Sequence, residues 1–267
     1  SIIGCGWLGL ELGKELLNKH YKVRGSTTTE KKRIEISKIG IDASLLTINE
    51  NSHLNYSKSD LFKSKTIIIT LPFKRSFNPP TIYENQITIL LNEIKKYNKN
   101  PSIIFTSSTS IYPKDIIVVS ESTQLKRLTP RQKTLLNVEN KIKSYTKNNI
   151  ILRLGGLFGG SRKIGMFLRN KTILENSNSP VNLIHRKDVI AIIENLLSNN
   201  ISNITLNCVC NHHPNKEDLY DFHAKRLNVP TPIFKDAKKP TKLVNSNLIN
   251  KLLKYKFIYD NLFTDYD

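Results

Sequence analysis

Three glycines in the first nine residues constrain the fold more than any other feature of this chain. Gly4, Gly6 and Gly9 form the pattern G-x-G-x-x-G inside the opening segment SIIGCGWLGLELGK. The pattern gains meaning from what flanks it: Ser1, Ile2 and Ile3 read as a strand end, and Leu8, Leu12 and Leu16 recur at helical spacing. Each glycine then has a physical task. Gly4 permits a tight turn out of the strand, Gly6 lets backbone approach a pyrophosphate, and Gly9 lets the helix pack close to the strand. Exposed amides and the positive end of the helix dipole favour phosphates there. The segment is read as a dinucleotide-binding loop, with Trp7 and Leu8 among its contact residues.

Through residue 160, apolar strand-like runs at 21–25, 41–46, 66–71, 102–106 and 149–154 alternate with helical patterns that open after Thr28, Pro80 and Pro130. Such alternation predicts an α/β fold, a Rossmann-type doubly wound parallel sheet. Ligands of these sheets bind outside the carboxyl ends of the strands. The unusual residues fall there: GCGWLG, GSTTT, LPF, SSTSIYP and GGLFGG each follow a strand. Beyond residue 160 the pattern loosens, with helices expected at 187–197, 216–227 and 246–253 around a strand at 204–209. Pro214, Pro230, Pro232 and Pro240 punctuate that stretch. The reading is a nucleotide-binding domain over 1–160 and a small C-terminal α+β substrate lobe within 161–267, some of whose segments return to the sheet.

A net charge of +19 raises the question of nucleic acid. The composition answers it. Lys, Asn and Ile supply 93 of the 267 residues, whereas Ala, Gly, Arg and Pro supply 36. The first set has A/T-rich codons and the second G/C-rich ones, so the lysine excess reads as genome composition. The lysines are also scattered, with no interleaved aromatic stripe, which describes a solvated surface. Nucleic acid is therefore not favoured as a partner. No apolar run is long enough to span a membrane. Cys5, Cys208 and Cys210 make no disulfide framework, and with no signal peptide evident the expected location is cytoplasmic. Ser1 is not read as the native start, and no internal repeat is found.

The residues after the second strand address which dinucleotide is bound. An acid about twenty residues past the glycines marks NAD sites, where it holds the ribose 2′-hydroxyl. Here that stretch is Val23-Arg24-Gly25-Ser26-Thr27-Thr28 and contains none. Ser26, Thr27 and Thr28, followed by Lys31 and Lys32, suit a 2′-phosphate instead. The expected cofactor is NADP, with NAD the alternative. Thr27 and Thr28 also qualify as helix caps, and Glu30 is an unfavourable neighbour for a phosphate.

Taken together, GCGWLG, FTSSTSIYP, ILRLGGLFGG and NLIHRKDVI, in this order and at this spacing, resemble the extended short-chain dehydrogenase/reductase superfamily, the NAD(P)-dependent epimerase/dehydratase proteins. The resemblance is to the atypical YeeZ-like subgroup and runs over essentially the whole chain. It implies that Ser108, four positions before Tyr112, is the serine that hydrogen-bonds the reacting oxygen, with Ser107 beside the cofactor. Leu71, Pro72 and Phe73 are expected to line the pocket next to the nicotinamide ribose, a placement compatible with a turn that buries the Phe. The superfamily's Y-x-x-x-K dyad is absent: aligned on Glu139, Arg131 takes the tyrosine position and Leu135 the lysine position.

Two readings follow. One is an oxidoreductase or epimerase-like enzyme acting on a small molecule, with Ser108 orienting the substrate, Arg131 stabilising an oxyanion or gripping an acidic substrate, and Tyr112 as a further candidate acid. The other is a non-catalytic NADP(H)-binding sensor. Arg131 paired with a surface carboxylate is compatible with either, and a homodimer is the assembly considered. Cys208, Cys210, His212 and His213 would put two thiols on one strand face but lack a convincing second pair, so no metal is expected. His185 and Asp188 are expected to brace the small lobe, and Arg153 to anchor a loop. Gly155, Gly156, Gly159 and Gly160 are read as a flexible segment able to close on a ligand.

Overall fold

The computed structural model describes residues 1–49, 53–113, 116–167, 173–235 and 242–264. In chain order its elements begin with β1 (Ile2–Ile3), α1 (Gly9–Asn18), β2 (Arg24–Thr27), α2 (Glu30–Lys38), β3 (Asp42–Ile48) and β4 (Leu54–Tyr56). Next come β5 (Thr66–Ile69), α3 (Thr81–Tyr97), β6 (Ser102–Ser108), β7 (Val118–Val119), α4 (Pro130–Tyr145) and β8 (Asn149–Leu154). Then follow β9 (Gly156–Phe158), β10 (Ile173–Glu175), β11 (Leu183–His185), α5 (Arg186–Ser198) and β12 (Ile204–Cys208). The last are α6 (Lys216–Arg226), β13 (Ile233–Lys235), β14 (Leu243–Val244) and α7 (Asn247–Leu253).

The main sheet has the order β12-β8-β6-β5-β1-β2-β3-β4. The pairs β3–β2, β2–β1, β1–β5 and β5–β6 are parallel, and β4 adds an antiparallel edge. Counted along the chain without β4, the strands run 3-2-1-4-5-6-7, the order of a doubly wound sheet extended by one strand. Its central strands read as sheets covered on both faces require: Ile67, Ile68 and Ile69 of β5 and Ile103, Ile104 and Phe105 of β6 are all buried. Local chemistry sets the start of α4. Thr129 and Gln132 form a capping box around Pro130 at the start of α4, which satisfies otherwise orphaned amides. The α/β class and doubly wound sheet expected from the alternation are thus present.

The described chain divides into two compact units. The first comprises Ser1–Ile111, Leu128–Leu152 and Leu196–Thr205, and the second Tyr112–Arg127, Arg153–Asn195 and Leu206–Asp267. In the second, short parallel pairs replace the large sheet: β9 with β11, β10 with β13, and β7 with β14. The glycine segment read as a closing loop is in part a strand, because Gly156, Leu157 and Phe158 pair in register with Leu183, Ile184 and His185. Among the described residues no helix is long and apolar enough to cross a membrane.

Candidate functional site

The direction of winding reverses between β1 and β5, and the crevice of a doubly wound sheet opens outside the carboxyl ends of such a pair. Two loops leave that point and are tied together. The Thr70 amide donates to Ile3 O at 3.0 Å, and Thr70 Oγ1 donates to Gly4 O at 2.7 Å. Gly4 has φ +105°, a conformation that side chains disfavour, and its amide donates to Ser26 Oγ at 2.9 Å. A Cβ on Gly9 would overlap the Gly4 carbonyl oxygen and lie 2.9 Å from Thr70 Oγ1. By contrast, a Cβ on Gly6 would meet nothing within 4 Å, and Gly6 is exposed. The loop is therefore close-packed beneath and open above. Leu8 is buried, Trp7 is half-buried, and burial raises the Cys5 thiol to about 11.

The hydroxyls after the glycines divide into two kinds. Ser26 and Thr27 lie within β2, buried and in register with Ser44 and Leu45, rather than in a loop after the strand. The strand extends this far because Gly25 and Ser26 pair between neighbours, and Ser26 Oγ serves the Gly4 amide. Thr28 is exposed. The helix cap expected at Thr27 or Thr28 falls to Thr29, whose side chain accepts the Lys32 amide. Lys31 is exposed, and Glu30 is gripped by Arg33 through Nε and Nη2. That hydrogen-bonded pairing holds the Glu30 carboxyl below its ordinary range.

At the end of β6 two adjacent serines have different surroundings. Ser107 Oγ donates to the buried Glu139 of α4 at 2.6 Å. Ser108 is half-buried, and its Oγ accepts the Ser110 amide at 3.1 Å. Gln132 Nε2 donates to Ser110 O at 3.3 Å, which links the first turn of α4 to this end of β6. Arg131 stands in that same turn. Its guanidinium lies 3.8 Å from the centroid of the Phe73 ring, and Nη2 donates to Phe73 O at 3.4 Å and Lys74 O at 3.2 Å. Phe73 in turn stacks on Tyr83 at 4.7 Å. The partners of Arg131 are thus carbonyls and a ring rather than the surface carboxylate considered above. Leu135 is buried in the core. Leu71 is half-buried with its carbonyl accepting from Tyr83 Oη at 2.9 Å, and Pro72 is exposed.

In the second unit the motif residues are turned to their own chain. Tyr112 is fully buried, donates to Asn207 Oδ1 at 2.7 Å and accepts from Arg153 Nη1 at 2.8 Å. Burial raises the phenol above its ordinary value. The buried Asp188 carboxylate accepts from Tyr255 Oη at 2.6 Å and from the Ile258 and Tyr259 amides at 2.9 and 3.2 Å. His185, stacked on Tyr259 at 3.7 Å, accepts the Lys187 amide at Nδ1, and burial lowers it to about 4. Cys208 closes β12 and Cys210 lies beyond it, so the two thiols do not share a strand face. Among the described residues no group of three His, Cys, Asp or Glu side chains is placed to hold a metal ion.

Sequence reasoning passed over Thr70, placed Phe73 only as a pocket-lining or turn residue without its contact to Arg131, and used Glu139 only to align the helix. All three owe their roles to partners at least 32 residues away.

The strand order, the reversal point and the glycine loop define a Rossmann-type doubly wound α/β protein. The fold is similar to that of UDP-glucuronic acid 4-epimerase from Bacillus cereus, solved in complex with NAD. The TM-score is 0.75 at 20% identity, covering 100% of this chain and 96% of that one. It is also similar to dTDP-glucose 4,6-dehydratase from Bacillus anthracis, likewise in complex with NAD, with a TM-score of 0.73 at 13% identity over 98% and 93% of the two chains. No protein-family model matches the chain. Protein YeeZ of Escherichia coli strain K12 is 31% identical over 258 residues, spanning 94% of this chain and 93% of its own length. The chain belongs to the YeeZ-like family.

Proposed function

We propose that the carboxyl edge of the first unit binds NADP(H) and that the protein is an oxidoreductase or epimerase-like enzyme acting on a small molecule without the Tyr/Lys dyad. One observation carries this reading: the glycine loop has no room for a side chain at Gly9 and an open approach at Gly6, at the sheet's reversal point. Gly4, Gly6, Trp7, Leu8 and Gly9 would hold the pyrophosphate and adjoining groups. Thr28 and Lys31 would meet the 2′-phosphate, beneath which Ser26 and Thr27 shape the strand end. The Arg33 charge offsets Glu30, whose carboxylate would otherwise repel that phosphate. Leu71 and Pro72 would line the crevice. A bound nicotinamide supplies the capacity to give or take hydride.

Ser108 would meet the substrate. Its Oγ accepts an amide, so its O–H remains able to donate to a substrate oxygen. Ser107, committed to Glu139, is a positioning residue for the same strand end. Tyr112 is assigned a structural role because its hydroxyl is buried against Arg153 and Asn207. A second reading, a non-catalytic NADP(H)-responsive protein, is favoured by Leu135, which puts a buried methyl-bearing side chain where the superfamily has its lysine. Both readings suit a cytoplasmic protein with free buried cysteines, and assembly as a homodimer is tested by molar mass in solution. NADPH titration followed by a panel of carbonyl substrates separates the two. Saturable binding with slow, Ser108-dependent oxidation of NADPH supports the enzyme, and binding without turnover supports the sensor.

A further inference from the structure

The loop after β5 and the first turn of α4 gather three cations: Lys74 and Arg75, both exposed, and the half-buried Arg131. Unpaired surface lysines are ordinary in a chain with 41 basic and 22 acidic residues. Arg131 is different in kind. It is fixed over the Phe73 ring, and two backbone carbonyls take Nη2. Among the described residues nothing takes its Nε or Nη1 donors, and no carboxylate ion-pairs with any of the three cations. Burial and the neighbouring Arg75 charge both act against the Arg131 cation. Arg131 is anchored to the carbonyl of Lys74, the residue before Arg75; a guanidinium so placed without an acid is stabilised by an arriving anion, and a fork of free N–H donors matches paired oxygens.

We infer that Arg131, assisted by Arg75, is the receptor for an oxyanion carried by the substrate, a carboxylate or a phosphate, beside Ser108. The inference rests on the functional reading above and specifies its substrate class. The stack of Tyr83, Phe73 and Arg131 gives the site its rigidity, because the guanidinium plane is set before a ligand arrives. The cofactor's phosphates have a separate cradle in the glycine loop, so the two anion sites have different residues.

The test titrates malonate, and separately inorganic phosphate, by calorimetry at low ionic strength into the full chain, both free and saturated with NADPH. The expected result is one saturable site in the NADPH-loaded protein, weakened at least tenfold in Arg131→Ala and severalfold in Arg75→Ala, with NADPH affinity unchanged in both. Tighter malonate than phosphate assigns a carboxylate, and the reverse a phosphate ester. Arg75 is exposed, so its variant reports even where Arg131→Ala fails to fold. Anion binding that is absent, or equal in both variants and the parent, overturns the proposal, as does loss of NADPH affinity in Arg131→Ala. An anion site sensitive to Arg131 in a protein that binds no NADPH would instead leave the oxyanion site standing and remove the cofactor reading.

Discussion

The exposed and half-buried polar residues at one edge of the first unit contrast with the motif residues of the second. At the carboxyl edge of the first, Gly6, Thr28, Lys31 and Pro72 are exposed and Ser108 and Arg131 half-buried, with donors left over. In the second, Tyr112, Arg153, His185 and Asp188 are all buried and bonded to their own chain. Both sets look equally functional as letters. Spare hydrogen-bonding capacity distinguishes a group that can meet a ligand from one that holds the fold, and buried polar groups without such partners would cost the protein dearly.

The largest expected effect comes from Gly9→Val. Its Cβ would collide with the Gly4 carbonyl oxygen, so the loop must shift, destabilising the fold by about 3 kcal/mol and abolishing NADPH binding. Thermal melting and fluorescence titration check this, and a variant that folds and binds normally would break the distinction at its strongest point.

Next is a pH effect confined to the second unit. The fold accepts His185 in its neutral form, with its folded value near 4 against 6.5 in the unfolded chain. The unfolded chain therefore takes up the proton first. Stability from this group is intact above pH 6.5 and is lost as pH falls from 6.5 through 4, by roughly 3 kcal/mol in full. Denaturant melts across that range should show the slope, and His185→Gln should flatten it.

Tyr112→Phe leaves Arg153 and Asn207 each short of a buried partner, at about 1–2 kcal/mol. NADPH affinity and any turnover should stay unchanged; a selective loss of turnover in a stable protein would move Tyr112 from scaffold to chemistry. The smallest effect sharpens the other side: Lys31→Ala should weaken NADPH binding about five- to tenfold, on the order of 1 kcal/mol, and leave NADH binding alone.

What was legible in the sequence was what depends on near neighbours. Gly4, Gly6 and Gly9 act within one turn of chain, Pro80 and Pro130 mark helix starts locally, and the expected strand at 149–154 coincides with β8. The strand expected at 21–25 lies instead at Arg24–Thr27, because pairing of Gly25 with Ile2 and Ala43 sets the register, and neither partner is adjacent in sequence. The commitments of Ser26 to Gly4, Ser107 to Glu139 and Tyr112 to Asn207 span 22, 32 and 95 residues. Nothing in a local pattern separates a hydroxyl with such a partner from one without. The two- and three-residue strands β7, β9, β11 and β14 were invisible for the same reason, since only pairing distant in sequence defines them.

The NADP(H) site proposed for the first unit's carboxyl edge can be checked in solution. Its most direct test is a titration of the protein with NADPH and with NADH, read by energy transfer from Trp7, the single tryptophan, which sits in the glycine loop. Saturable binding of NADPH, tighter than that of NADH and with quenching of Trp7, is the expected outcome. Failure of both nucleotides to bind or to quench Trp7 in a folded protein would contradict it.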